Sequence, residues 1–199
     1  MSGKIKAITF DLWDTVFIDD SDEPKRQSRG LESKALERRT LVHQFLHKQS
    51  PISKGAVNLA YNVADAAFRQ VWYGQSVTWS VEERLLVILK GLNYELPKTE
   101  MDELVKLHEE MELNISPELA PGIVDAIKAL AKDYKLGVIS DAIFSPGRVL
   151  REILKKYEWD DKKFYENKNK NLENYDNVFQ EVGQYAKKIK EHIDNTKLK

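Results

Sequence analysis

The chain has 199 residues, no cysteine, and a formal net charge of -1 from 31 Lys+Arg against 32 Asp+Glu. That length suits one ordinary domain carrying an insertion. Without cysteine, disulfides, thiolate nucleophiles and Cys-based metal sites are excluded, and the balanced charge supplies no global field to gather nucleic acid or an anionic membrane. The opening MSGKIKAITF has neither the apolar run nor the cleavage site of a signal peptide, and no later run reaches ~18 apolar residues. The expectation is a soluble cytoplasmic protein with no nucleic-acid and no membrane partner.

Ile5 to Phe10 becomes almost continuously apolar from Ala7, as a strand buried on both faces of a parallel sheet does, and ends on DLWDT. Phe17 to Lys34 is polar, with Pro, Gly and Ser, and reads as a loop. Four helical patterns follow between 36 and 113. The first places Leu41, Val42, Phe45 and Leu46 on one face. The second, capped by Ser53, carries Ala56, Leu59, Ala60, Val63, Ala67 and Val71. Ser80 with Glu83 forms a capping box for the third, and Thr99 with Asp102 a weaker version for the fourth.

PGIVDAIKALAKDY then reads as a helix with Pro in its first turn, and KLGVISDA as a second buried strand. Ser145-Pro146 opens another helix, with Val149, Leu150, Ile153 and Leu154 inward. A strand, a helical insert, a helix, a strand and a helix imply an α/β fold with a parallel-sheet core. Its parts are residues 1–16 and 117–160, with a helical region at 17–116 inserted between them.

After residue 160 the composition breaks, with six asparagines against four before it. ENKNKNLEN is of low complexity, yet Leu172, Tyr175, Val178, Phe179, Val182, Tyr185, Ala186, Ile189 and Ile193 keep a helical period. Residues 161–199 therefore read as an atypical C-terminal extension. Its amphipathic helix would cover a sheet edge or pair with a second copy as a homo-oligomer.

Chemistry collects where the two strands stop, the place where parallel α/β sheets bind ligands. Asp11 ends the first and Ser140-Asp141 the second. FDLWDT, followed by a helical insert and then by VISDA, resembles the haloacid dehalogenase-like (HAD) hydrolases. Their first motif is an apolar strand ending in a nucleophilic Asp, and their second an apolar strand ending in Ser or Thr. Asp11, Thr15 and Ser140 match position for position, and the likeness covers residues 4 to about 157.

The resemblance implies a Rossmann-like core with an α-helical cap, and hydrolysis of a small phosphorylated or halogenated acid. Asp11 would be the nucleophile and a Mg²⁺ ligand, Ser140 would hold an oxygen of the transferred group, and Thr15 would support the turn. Backbone donors near Leu12 and Ala142 would stabilise charge. In the dehalogenases no metal is implied, and an Arg from the cap holds the substrate carboxylate. Arg38 and Arg39 are candidates for that Arg, a solvated helix face being the plainer reading of both.

Two departures bear on the reaction. Where family phosphatases carry an acid two residues after the nucleophile, this chain has Trp13, which cannot titrate. Either Asp14 reaches inward, or the leaving group needs no proton, or turnover has been lost and the chain is a binding or oligomerisation module. Trp13 would otherwise line the substrate site, as the dehalogenases' Tyr does. Neither the family's later Lys-Pro motif nor its acidic pair is present after residue 157. Lys162, Lys163, Lys168, Lys170, Asp176 and Asp194 stand there without supporting context. His43 and His47 have zinc-site spacing, but Gln44 stands where a general-base Glu would be.

Overall fold

The computed structural model describes residues 5–157. Strand β1 (Ala7–Phe10) is followed by the two-residue strand β2 (Phe17–Ile18) and a short helix, α1 (Glu23–Ser28). Helices α2 (Lys34–Gln49), α3 (Lys54–Gln75), α4 (Val81–Gly91) and α5 (Lys98–Glu109) come next, then the single turn α6 (Met111–Asn114) and strand β3 (Glu118–Leu119). Helix α7 (Ile123–Leu130), strand β4 (Lys135–Val138) and helix α8 (Gly147–Lys156) complete the described part. The C-terminal extension, its predicted amphipathic helix and the lysines and aspartates named within it lie outside the described residues.

β1 and β4 pair in parallel, Ala7 with Lys135 through Phe10 with Val138, so the two predicted strands are direct neighbours in a small sheet. Full burial of β1 is not observed. Ala7 and Thr9 are exposed and Ile8 and Phe10 half-buried, because among the described residues the sheet has two strands, too few to cover both faces. The predicted loop at 17–34 also holds more structure than its composition announces. β2 pairs antiparallel with β3, Phe17 with Leu119 and Ile18 with Glu118, and Pro24 starts α1 at a position where its missing N–H costs nothing.

α2 to α5 pack in a closed circuit, α2 on α3, α3 on α4, α4 on α5 and α5 on α2. Their shared core includes Val42, Phe45, Leu46, Tyr61, Leu85, Ile88 and Leu104, all at or below 5% exposure. Ser33, Ser53 and Ser80 each cap a helix by accepting a backbone N–H. At α4 the capping box is complete, since the Ser80 N–H donates to Glu83 at 2.7 Å and the Glu83 N–H to Ser80 Oγ at 3.2 Å. Ser80→Ala is expected to cost about 1 kcal/mol, measurable as a lower midpoint of urea unfolding. Wild-type stability in the variant would mean that Glu83 alone holds the turn.

Three local expectations fail for identifiable reasons. α5 is led by Pro97 without a side-chain cap, because Asp102 pairs with Lys98 instead of closing a box with Thr99. Ser145 does not cap α8, since its hydroxyl bonds Glu112 and the Glu109 carbonyl. On α3 the buried stripe is Val57, Tyr61, Ala64 and Phe68, while Leu59 and Val63 are 66% and 60% exposed. The helix is apolar on two sides, and packing selected the side whose aromatic rings bury more area and find polar partners. Among the described residues no helix is long and apolar enough to cross a membrane.

Candidate functional site

β1 hands the chain directly to a tight turn. The Leu12 carbonyl accepts from Thr15, Val16 and Phe17 N–H groups, the last two at 2.8 Å, and Leu12, Val16 and Phe17 are fully buried. This turn anchors Asp11 just outside it, exposed at the carboxyl end of the strand. The ladder continues one step beyond the strands, with the Ile139 N–H donating to the Phe10 carbonyl at 2.9 Å. Asp11 and Ser140 therefore leave neighbouring strands at the same end. The Ser140 hydroxyl oxygen is buried and has no hydrogen-bond partner among the described residues, although an unmade bond of this kind costs about 1–3 kcal/mol.

Other predicted positions are occupied in particular ways. The Leu12 N–H donates to Asp11 Oδ1 at 2.7 Å, so this donor serves the aspartate itself. Thr15 is exposed and contributes its backbone N–H to the turn, and Ala142 is half-buried in the loop after β4. Trp13 is half-buried, with its ring 5.7 Å from that of Phe17. Asp14, the alternative acid, is engaged in the turn that follows. It adopts a left-handed backbone (φ 52°), and its Oδ1 accepts from the Asp19 N–H at 3.1 Å, tying it to the next turn.

The loop after β4 meets the helices. Asp141 accepts from Trp72 Nε1 at 2.9 Å and from Thr78 Oγ1 at 2.5 Å, fixing α3 and the segment before α4 to the end of the strand. Beside these contacts lies a cavity of about 270 Å³ whose walls include Arg38, Arg84, Asp65, Phe68, Trp72 and Phe144. Arg38 is buried here, not solvated, with its guanidinium carbon 3.4 Å from the Phe144 ring centre. Burial pushes it down to about 10, Glu112 and Tyr61 pull it upward, and the charge of Arg84 presses it lower. It is therefore still a cation at neutral pH. Arg39, also a wall residue, is bound to the Asn58 carbonyl at 3.0 Å and reaches Asp65 at 3.5 Å.

Sequence reasoning passed over Arg84 and Phe144. Arg84 is 8% exposed, donates to Asp65 Oδ1 at 2.7 Å, and stacks 4.4 Å from both Phe68 and Phe144. Helix periodicity cannot separate such a residue from a solvated arginine, and Phe144 carries no motif.

No metal cluster forms at these positions. Among the described residues no three His, Cys, Asp or Glu side chains stand together to hold an ion. The carboxylates nearest Asp11 in the two loops are committed, Asp14 to Asp19 and Asp141 to Trp72 and Thr78, so the described donors do not fit the near-octahedral oxygen shell of Mg²⁺. The histidine pair is also engaged. His43 Nε2 faces the Ile52 carbonyl at 3.0 Å and His47 Nδ1 accepts from the Ile52 N–H at 3.3 Å, which makes the pair a clasp on the loop between α2 and α3.

No family model matches the chain. No curated protein matches it either. Among solved structures it is similar to the HAD-hydrolase YfnB of Bacillus subtilis, crystallised bound to magnesium, at 17% identity and a TM-score of 0.42. That alignment covers 82% of this chain and 62% of the other, so the chain spans less than two thirds of that protein's length.

Proposed function

We propose that the chain is a hydrolase of the HAD type that uses Asp11 as its nucleophile on a small phosphorylated or halogenated acid. In this reading residues 1–16 and 117–160 form the core, and 17–116 the helical cap that selects substrate and excludes water. The observation that carries the reading is the juxtaposition of an exposed Asp11 with the unpartnered Ser140 hydroxyl at one end of the β1–β4 pair.

One Asp11 carboxylate oxygen attacks the phosphorus or halogen-bearing carbon, and the new bond forms as the bond to the leaving oxygen or halide breaks. The Ser140 hydroxyl donates to an oxygen of the phosphoryl group or the acid. Water then opens the covalent intermediate and regenerates Asp11. For an oxyanion to use the Leu12 N–H, Asp11 Oδ1 must first release it. Trp13 supplies no proton, so halide or a stable anion such as the carboxylate of an acyl phosphate fits as the leaving group. Arg38 and Arg39 are the substrate-binding positions on the cap. Since the described donors do not fit Mg²⁺, no step is assigned to the ion.

Assays of phosphate release from acetyl phosphate and of chloride release from 2-chloropropionate test this. Asp11→Asn is expected to lower the active reaction by about 10³-fold or more, as loss of a nucleophile does. Equal rates for the two proteins on both substrates would overturn the reading. Trp13 and the occupied Leu12 donor favour a second reading, a relative that binds without turnover, which the same null result would support.

A further inference from the structure

We infer that the outer face of α3 and α4 binds a second copy of this chain across a two-fold axis, α3 on α3 and α4 on α4, each pair antiparallel.

The face that α3 turns away from the helical core carries Leu59, Val63, Ala66, Gln70 and Tyr73 at 3- and 4-residue spacings, all of them exposed. None is charged, in a chain whose residues are 32% charged. A helix face that only meets water has no need to exclude charge over four turns, whereas the centre of a protein interface does. The neighbouring helix continues the face. α3 packs on α4, the two being joined by residues 76–80, and the Arg84 bond to Asp65 at 2.7 Å sets their relative height. Three residues further along α4, Val87 comes level with residue 62, beside Val63. Leu86 and Val87 are exposed there as well.

α4 also indicates what covers the face. Glu82, Leu86 and Lys90 stand four apart on its exposed side, an acid before the apolar centre and a base after it. A two-fold axis through Leu86 brings Glu82 of one copy opposite Lys90 of the other, twice, and the same axis crosses α3 near Val63. Leu59 then faces the small Ala66 of the other copy. Such self-complementarity is what an isologous contact requires, since every group must meet its partner in both directions. An anionic membrane would find no cation on the α3 stripe, and a strongly charged protein would find no counter-charge there. Two helices about 10 Å wide present roughly 500 Å² in projection, below the ~800 Å² per partner of a stable complex, so the expected dimer is reversible, in the micromolar range.

Sedimentation velocity of the full chain over about 1–100 μM tests the assignment. The wild type is expected to pass from monomer to dimer within that range. Val63→Lys, at a position that folding does not bury, is expected to weaken association about tenfold or more, because it sets two like charges against each other at the axis. Glu82→Lys is expected to weaken it less, and Glu82→Lys with Lys90→Glu to restore it, with the difference fading at high salt. Circular dichroism checks that each variant is folded, and Lys90→Glu alone replaces Glu82→Lys if the first turn of α4 loosens. A wild type that stays monomeric throughout, or a dimer that neither Val63→Lys nor the charge reversals shift, would overturn the assignment. A double reversal no better than the single one would overturn it too.

Discussion

Lys34→Met is expected to destabilise the fold by about 3–5 kcal/mol, because it strips the cation from two buried carboxylates, Asp22 and Glu112. Lys34 Nζ donates to Asp22 Oδ1 at 2.8 Å and to Glu112 Oε1 at 3.3 Å, and stands 3.2 Å from Asp20. Asp22 is fully buried, Glu112 is 7% exposed, and the latter also accepts from Ser145. Burial alone would push the Lys34 ammonium down, but Asp22, Glu112 and Asp20 outweigh it and hold the group above the ordinary lysine range. The ammonium thus ties together the start of α2, the segment before α1, α6 and the approach to α8. Denaturant unfolding of wild type and variant at pH 7 measures the loss. A difference below about 1 kcal/mol would mean that the carboxylates are hydrated in solution and that the cluster contributes little.

Acid should loosen the helical circuit through a single imidazole. His108 is 1% exposed, its Nδ1 lies 2.8 Å from the Leu104 carbonyl, and its Nε2 lies 2.7 Å from the Tyr61 hydroxyl. The neutral tautomer satisfies both contacts, with Nδ1–H donating and Nε2 accepting from Tyr61. Burial pushes the imidazole down to about 4, and the charges of Arg38 and Arg84 act in the same direction. In the unfolded chain the group titrates near the ordinary 6.5, so between pH 6.5 and 4 the unfolded state binds more protons. Stability therefore falls as pH is lowered through that window, by about 3 kcal/mol on reaching pH 4 from this residue. His108→Gln should flatten that part of the pH–stability curve while lowering stability at pH 7. Parallel curves for the two proteins would place the acid sensitivity elsewhere.

The parts of the fold written in local pattern were the legible ones. ITF and KLGV read as strands and pair with each other, and Ser53 and Ser80 stand one residue before their helices, whereas the Ser33 cap lay hidden in a stretch read as loop. What escaped depends on residues far apart in the chain. The Asp141 partners, Trp72 and Thr78, lie more than sixty residues away, and no spacing rule links them. Arg38 and Arg84 occupy helix positions where the same residue type would also suit a wet surface, and their partners, Phe144 from the β4 loop for both and Asp65 and Phe68 of α3 for Arg84, leave no mark in a helical period. α3 failed for the opposite reason. It offers two apolar faces, and the Tyr61 bond to His108, which selects one of them, is invisible in a hydrophobic period.

The short β2–β3 ladder has a consequence for how this protein can change over evolutionary time. Phe17–Ile18 and Glu118–Leu119 lie side by side, so the chain departs for its helices and comes back through one narrow gate. An excursion whose two ends are already joined can lengthen, shorten or be exchanged for another with little extra closure entropy, and the strands beneath need not adjust. Two parts of one chain are thereby uncoupled: the paired strands can persist unchanged while the material beyond the gate is rewritten.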